Sequence, residues 1–247
     1  MTARRIRWVG LGILAALGLI VLVLAGLRQL ARSRTWQVAG EIIARVDTKD
    51  SVVALTFDDG PVARVADSLI ATLRAHGVHA TFFVMGQDLK AAPDVGAALV
   101  AAGHELGNHT WTHRRMVLVS KGTIRQEIEP TDSLIRAAGE RGTIRFRPPY
   151  GYKLFGLPRY LAATNRTTVM WDIEPESFPE VVATAEGIVA HVLARVRPGS
   201  IIILHPWYPS RATTRAALPM LLDSLQARGY RVTTVGELLG EPASHDR

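Results

Sequence analysis

The sequence predicts an α/β fold with a parallel, barrel-like sheet, and three observations carry that reading. Strand-like and helix-like stretches alternate about seven times between residues 52 and 239, at the spacing of β-α-β units. The strand-like stretches are short apolar runs without polar alternation, as expected of strands covered on both faces. Polar groups suited to chemistry follow several of these runs, the carboxyl-end placement of parallel barrels. An open doubly wound sheet is the alternative, but it would gather such groups at one switch point.

Ahead of the domain, residues 9–27 contain no charged or strongly polar side chain. Nineteen helical residues rise to roughly 28 Å, nearly a bilayer core. The run is longer than an ordinary signal core of about 7–15 residues. An uncleaved, single-pass signal anchor with the domain extracytoplasmic is therefore expected over residues 1–34. The alternative is a signal cleaved near Ala25, releasing a secreted or periplasmic product. Three arginines precede the apolar run and three follow it, so the positive-inside bias nearly cancels. Residues 35–50 read as a juxtamembrane spacer, with room for a short strand within 40–46.

The domain itself is expected over 51–240, with a polar tail at 241–247. Residues 52–57 form the first strand, ended by Asp58-Asp59-Gly60-Pro61, and a helix follows over 62–75, with Gly77 beyond its end. Further strands are predicted at 80–85, 105–108, 143–146, 167–171, 200–204 and 230–235. Helices are predicted at 93–102, 124–138, 159–163, 185–196, 213–227 and 235–239.

The chain has 247 residues, no cysteine and a net charge of +7. Without thiolates, a bound metal must be held by histidine, carboxylate and water. Six arginines (Arg4, Arg5, Arg7, Arg28, Arg32 and Arg34) precede the first acid, Glu41, leaving 23 Lys and Arg against 22 Asp and Glu in the remainder. A nearly neutral folded part offers no footprint for a nucleic-acid backbone, so none is expected as a partner. Oligomeric state is not legible here.

Asp58 and Asp59 are like charges at a strand mouth, which calls for a cation or a shared proton; a solvated Asp-Gly turn is the rival reading. In His109-Thr110-Trp111-Thr112-His113 two imidazoles stand four apart. They face one way on a helix, or converge from a loop, and suit zinc with a third ligand. The rival is a pair of ordinary loop histidines. Arg147-Pro148-Pro149-Tyr150 restricts the backbone around Arg147 and the Tyr150 amide. His205 closes the apolar run 201–204. Together these groups suffice for metal-assisted hydrolysis.

These four motifs, in this order, strongly resemble the polysaccharide deacetylase family (the NodB-homology or carbohydrate esterase family 4 domain) over about residues 52–239. The resemblance implies a distorted (β/α)7 barrel, which the membrane or signal-anchor helix read from residues 9–27 would precede. It implies one divalent ion, usually zinc with cobalt also serving, on Asp59, His109 and His113. It further implies Asp58 as general base, His205 as acid toward the leaving sugar amine, Arg147 orienting Asp58, and the Tyr150 amide stabilising the oxyanion. Trp111, Trp171, Trp207 and Tyr208 are candidate sugar contacts, with core packing equally open for Trp171. The implied substrate is an acetylated glycan, with peptidoglycan preferred to chitooligosaccharide. Alternatives are O-acetyl ester hydrolysis, a small-molecule metal amidohydrolase, and a non-catalytic cell-wall-binding protein.

One stretch departs from the family pattern. Where relatives carry Asp-x-x-Asp-Trp, this chain reads Glu174-Pro175-Glu176-Ser177-Phe178. Ser177 replaces the aspartate that supports the acid histidine. His205 is therefore expected to have a lowered pKa unless Asp172 or Glu174 takes over.

Overall fold

The computed structural model describes residues 3–242. Within the expected polar tail, residues 243–247 lie outside the described ones. The first strand to pair in sequence order is β1 (Ile42–Ile43). It is followed by β2 (Val52–Asp58), β3 (Thr81–Val84), β4 (Glu105–Asn108), β5 (Thr168–Val169), β6 (Ile201–Leu204) and β7 (Arg231–Thr233). The helices are α1 (Ala3–Arg32), α2 (Ala63–Ala75), α3 (Gly86–Ala91), α4 (Pro93–Ala101), α5 (Lys121–Ala137), α6 (Gly156–Ala163), α7 (Ala185–Leu193), α8 (Ala212–Ala227) and α9 (Val235–Leu238).

Every pairing between these strands is parallel. One sheet runs β4-β3-β2-β6, with β7 pairing the early half of β2, and β1 pairs β5 separately. Single-residue bridges join Phe146 to both Asn108 and Thr168, and Ile173 to Ile202.

Alternation along β2 explains where the chemistry can stand. Val53, Leu55 and Phe57 pack with Leu69, Leu73, Leu218 and Leu222 of the covering helices. Val52 and Ala54 pack on the other face with Phe83, Val169, Ile201 and Ile203. Side chains two apart share a face, so Thr56 and Asp58 follow Ala54 to the inner side. The same count along β6 carries Ile201 and Ile203 inward, with His205 next in that series. Phe57 pairs with Leu204, so Asp58 and His205 leave neighbouring strands side by side.

The stretch expected to be a strand at 143–146 does not form one. Only Phe146 bridges, because its backbone and its neighbours' alternate between two partners. Asn108 N–H donates to Arg145 O at 2.8 Å and Phe146 N–H to Thr167 O at 3.2 Å. Pro148 and Pro149 then remove the next donors. Helix α3 is an addition to the expected elements, and α5 starts three residues early because Ser120 caps it, accepting from Thr123 N–H at 3.1 Å. Residues 35–50 lie against the sheet through β1.

Candidate metal and hydrolytic site

The loops after β2, β4 and β6 converge on one cleft of about 430 Å³. Asp59, Thr110 and His113 in these loops, and Tyr150 on the 3₁₀ turn Pro149–Gly151, adopt positive φ of 58–71°. Such left-handed backbone in non-glycine residues is costly and concentrates at functional sites. Gly60 has φ +62°, and a Cβ there would lie 2.7 Å from the Trp207 ring. Only glycine lets the chain turn under Asp59 at that spot.

The two adjacent acids occupy different surroundings. Asp58 is buried, and its Oδ1 accepts from Arg147 Nη1 at 2.6 Å. Burial alone would raise its pKa; Arg147, His109 and His205 outweigh that and hold it below the usual carboxylate range. Arg147, wholly buried, also donates to Thr56 Oγ1 at 2.8 Å, Val169 O at 3.2 Å and Met170 O at 3.0 Å. Its guanidinium is thus fixed by four acceptors, and removing either partner of this ion pair would strand a buried charge, a loss of about 3–5 kcal/mol.

Asp59 Oδ1 is buried and accepts no hydrogen bond among the described residues. It stands 3.3 Å from His113 Nε2 and 3.8 Å from His109 Nε2. One ligand atom each from Asp59, His109 and His113 lies within 4.8 Å of the others. An orphaned carboxylate oxygen facing two imidazoles is the donor set a divalent cation satisfies. The histidines are oriented for it. His109 Nδ1 lies 2.8 Å from Arg147 O, which can only accept, so Nδ1 carries a proton and Nε2 is turned toward the two acids, 3.6 Å from Asp58 Oδ2 and 3.8 Å from Asp59 Oδ1. Burial, with His109 alongside, draws the His113 pKa down to about 4, leaving a neutral ligand. The histidines converge from a loop, resolving the helix-or-loop alternative. Glu127 of α5 pins that loop, accepting from Trp111 N–H at 3.0 Å, Thr112 N–H at 2.9 Å and Thr112 Oγ1 at 2.8 Å.

His205 overturns one expectation. Its Nδ1 lies 2.6 Å from Glu176 Oε2, and Glu176 Oε1 accepts from Thr214 Oγ1 at 2.5 Å. Burial disfavours the imidazolium, but the Glu176 hydrogen bond and the charges of Asp58, Glu176 and Asp59 prevail and lift its pKa to about 9. Neither expected substitute reaches it. Asp172 instead holds Ser200 Oγ at 2.9 Å and Ile201 N–H at 2.8 Å, while Glu174 binds Trp171 Nε1 at 2.8 Å and Arg34 at 2.5 Å. The weakened acid expected from Ser177 is therefore corrected. The compensating carboxylate lies one residue earlier, on a 3₁₀ turn over Pro175–Ser177 that brings Glu176 to the histidine while Ser177 is exposed.

The aromatic residues divide. Trp207 is fully buried, 5.9 Å from Phe82, and its expected role in sugar contact is withdrawn. Trp171 is mostly buried but lines the cleft beside Tyr150, whose ring is largely exposed and 4.5 Å from that of His113. Trp111 is half-buried and Tyr208 partly exposed, and neither lines the cleft.

Comparison with known proteins places this geometry in context. The family model described as polysaccharide deacetylase matches residues 45–168. A chitooligosaccharide deacetylase of Bradyrhizobium sp. (strain ANU 289) is 33% identical over 198 residues, covering 75% of this chain and 90% of that protein. The peptidoglycan-N-acetylmuramic acid deacetylase PdaC of Bacillus subtilis (strain 168) is 31% identical over 195 residues; the match spans 78% of this chain and only 40% of PdaC. Among solved structures, the Bc1960 peptidoglycan N-acetylglucosamine deacetylase superposes with a TM-score of 0.75 at 26% identity, covering 81% of this chain and 94% of that one.

Proposed function

The chain belongs to the polysaccharide deacetylase family, and from that premise we propose that it is a metal-dependent hydrolase removing N-acetyl groups from an amino-sugar polymer. The observation that carries this reading is the orphaned Asp59 Oδ1 facing two imidazole Nε2 atoms. Asp59, His109 and His113 would hold the ion, and two imidazoles with one carboxylate suit zinc, with cobalt as the nearest substitute. A divalent ion bound there supplies Lewis acidity toward the acetyl carbonyl and lowers the pKa of water.

The remaining steps belong to the protein's own side chains. Asp58, kept ionised by Arg147, takes a proton from the attacking water. Arg147 fixes the carboxylate's direction through its bond to Oδ1, which leaves Oδ2 on the side of His109. The Tyr150 amide, carried on a strained turn, is the donor assigned to the developing oxyanion. His205, held as imidazolium by Glu176, gives its proton to the leaving sugar amine. Acid and base thus have pKa values pushed apart by their surroundings, the arrangement that lets both work near neutrality.

The bridges at Phe146 and Ile173 support a distorted barrel closed between β4, β5 and β6. The helix over residues 11–32 is long and apolar enough to cross a membrane. It supports a single-pass anchor; the glycan substrate puts the domain on the extracytoplasmic side, where peptidoglycan is the preferred substrate and chitooligosaccharide the next. The test measures acetate released from peptidoglycan, chitooligosaccharides and acetylated xylan, together with metal content. Release from the amino-sugar polymers, with about one equivalent of metal that His113→Ala loses, is expected. Release from xylan alone would replace the amide reading with an ester one, and full metal content in His113→Ala would overturn the ligand set.

A further inference from the structure

Charges around the cleft pair off with two exceptions. Arg147 is matched by Asp58, Arg34 by Glu174 at 2.5 Å, and Arg211 stands 3.7 Å from Glu176. Asp59 is reserved for the cation. Arg32 and Arg115 also line the cleft, and neither has a carboxylate within 4.0 Å among the described residues. They come from opposite parts of the chain, Arg32 from the last residue of α1 and Arg115 from just beyond the histidine loop, yet both meet the same ring. The Arg32 guanidinium lies 5.6 Å from the Tyr152 centroid, and that of Arg115 lies 5.4 Å from Tyr152 and 4.8 Å from Tyr150.

An unpaired arginine on a surface is unremarkable alone. Two that stack on one ring at the lip of a cleft are a different case. Stacking uses the apolar face of the guanidinium and leaves its N–H edge free for a ligand. That edge is near the chemistry, because Tyr150 links Arg115 to His113 through ring contacts of 4.8 and 4.5 Å.

We propose that Arg32 and Arg115 form an anion subsite, taking a carboxylate or phosphate carried by the amino-sugar polymer on a unit close to the one that loses its acetyl group. The assignment rests on the deacetylase reading and narrows it to an anionic glycan. The fork of each guanidinium matches two oxygens of either anion. It also gives the last residue of the apolar helix a substrate-facing role in addition to any membrane one.

The experiment compares full-length protein in detergent with its Arg32→Gln and Arg115→Gln variants. Substrates are chitotetraose, a peptide-free peptidoglycan tetrasaccharide that carries carboxylates, and chitotetraose phosphorylated at one end. The readout is the ratio of kcat/KM for each anionic substrate to that for chitotetraose. Wild type should prefer an anionic substrate, and each substitution should lower that ratio roughly tenfold, the scale of one charge-assisted hydrogen bond, mainly through KM. The preference should fade with added salt and be partly restored by Arg115→Lys. The anion with the larger ratio identifies which source the subsite takes. Calorimetric binding of the same three sugars to an Asp58→Asn background gives the comparison without turnover. If no substrate releases acetate but the anionic preference in binding persists and depends on both arginines, the subsite stands and the deacetylase reading fails. A ratio unmoved by both substitutions, or a loss shared equally by neutral and anionic sugars, overturns the subsite.

Discussion

Asp58 and Asp59 are neighbours in sequence and both approach His109 Nε2, at 3.6 and 3.8 Å, yet Asp58 alone is hydrogen-bonded to Arg147 and Asp59 alone also meets His113 and has an orphaned oxygen. That difference predicts separable defects. Asp58→Asn should retain the metal and lose at least ~100-fold in turnover, the ordinary scale of a general base; Asp59→Ala should lose the metal as well. Metal analysis beside steady-state kinetics checks both, and an emptied site in Asp58→Asn would exchange the roles. Glu176 gives a second prediction. As an acid, His205 must be protonated, and with a pKa raised to about 9 it stays so through neutral pH. Activity is then lost as pH rises through that value. Glu176→Gln removes both the charge and the charged acceptor, so the alkaline limb of kcat/KM should move to lower pH, while Ser177→Asp should leave it in place. A limb unmoved by Glu176→Gln would show that Asp58 and Asp59 alone sustain the imidazolium. The ligand triad was legible in the sequence because its members fall in compact motifs with known donor chemistry. Glu176 was not, because a 3₁₀ turn shifts the useful carboxylate by one residue, and no local pattern reports that shift.

At the level of elements, the sheet's two-residue period did much of the positioning. Once 52–57 is read as a doubly covered strand, Asp58 falls on the inner face by counting, and His205 does likewise after 201–204. What the count cannot reach is support from a distant helix. Helix α5 reads as amphipathic, and nothing in its sequence marks Glu127 as the residue that holds the histidine loop by three hydrogen bonds. Nor does anything mark Asn108, whose Nδ2 donates to Ile128 O at 2.9 Å and Asp132 Oδ1 at 2.7 Å while its Oδ1 accepts from Thr110 N–H at 2.8 Å. Such groups orient ligands without touching the ion. Glu127→Gln should therefore weaken metal affinity about 10–100-fold, the usual range for outer-shell partners. Competition with a chelator of known affinity measures it, and an unchanged constant would make Glu127 a helix-to-loop tie with no bearing on the site.

For the whole molecule, the question is whether α1 is only a tether. Within residues 11–32 an 18-residue window has a mean hydropathy of 2.4 and none of that window is buried in the protein, so most of the helix makes no use of the domain. Its last turn does. Ala31 is buried, and its carbonyl accepts from Lys153 N–H at 2.9 Å. The Lys153 ammonium, itself buried, donates to Ser33 O, and burial draws its pKa down to about 8. Arg34 adds the ion pair to Glu174 and lies 4.6 Å over the Trp171 ring. Apolar patterning displays the exposed part of the helix plainly, whereas this docking depends on contacts separated by 120 and 140 residues and leaves no local trace. Cleavage near Ala25 would keep these contacts, so a chain beginning at residue 27 should be nearly as stable as the full-length one. A chain beginning at residue 36 loses Ser33, Arg34 and Ala31 together and leaves the Lys153 ammonium buried without its acceptor. An orphaned buried donor of this kind costs about 1–3 kcal/mol, more when charged. At about 2–4 °C per kcal/mol for a domain of this size, the shorter chain should melt roughly 4–10 °C below the longer one. Thermal unfolding of the two at pH 7, where Lys153 is charged, makes the comparison. Equal melting temperatures would show that the segment after the apolar run adds nothing to the fold and serves as a tether alone.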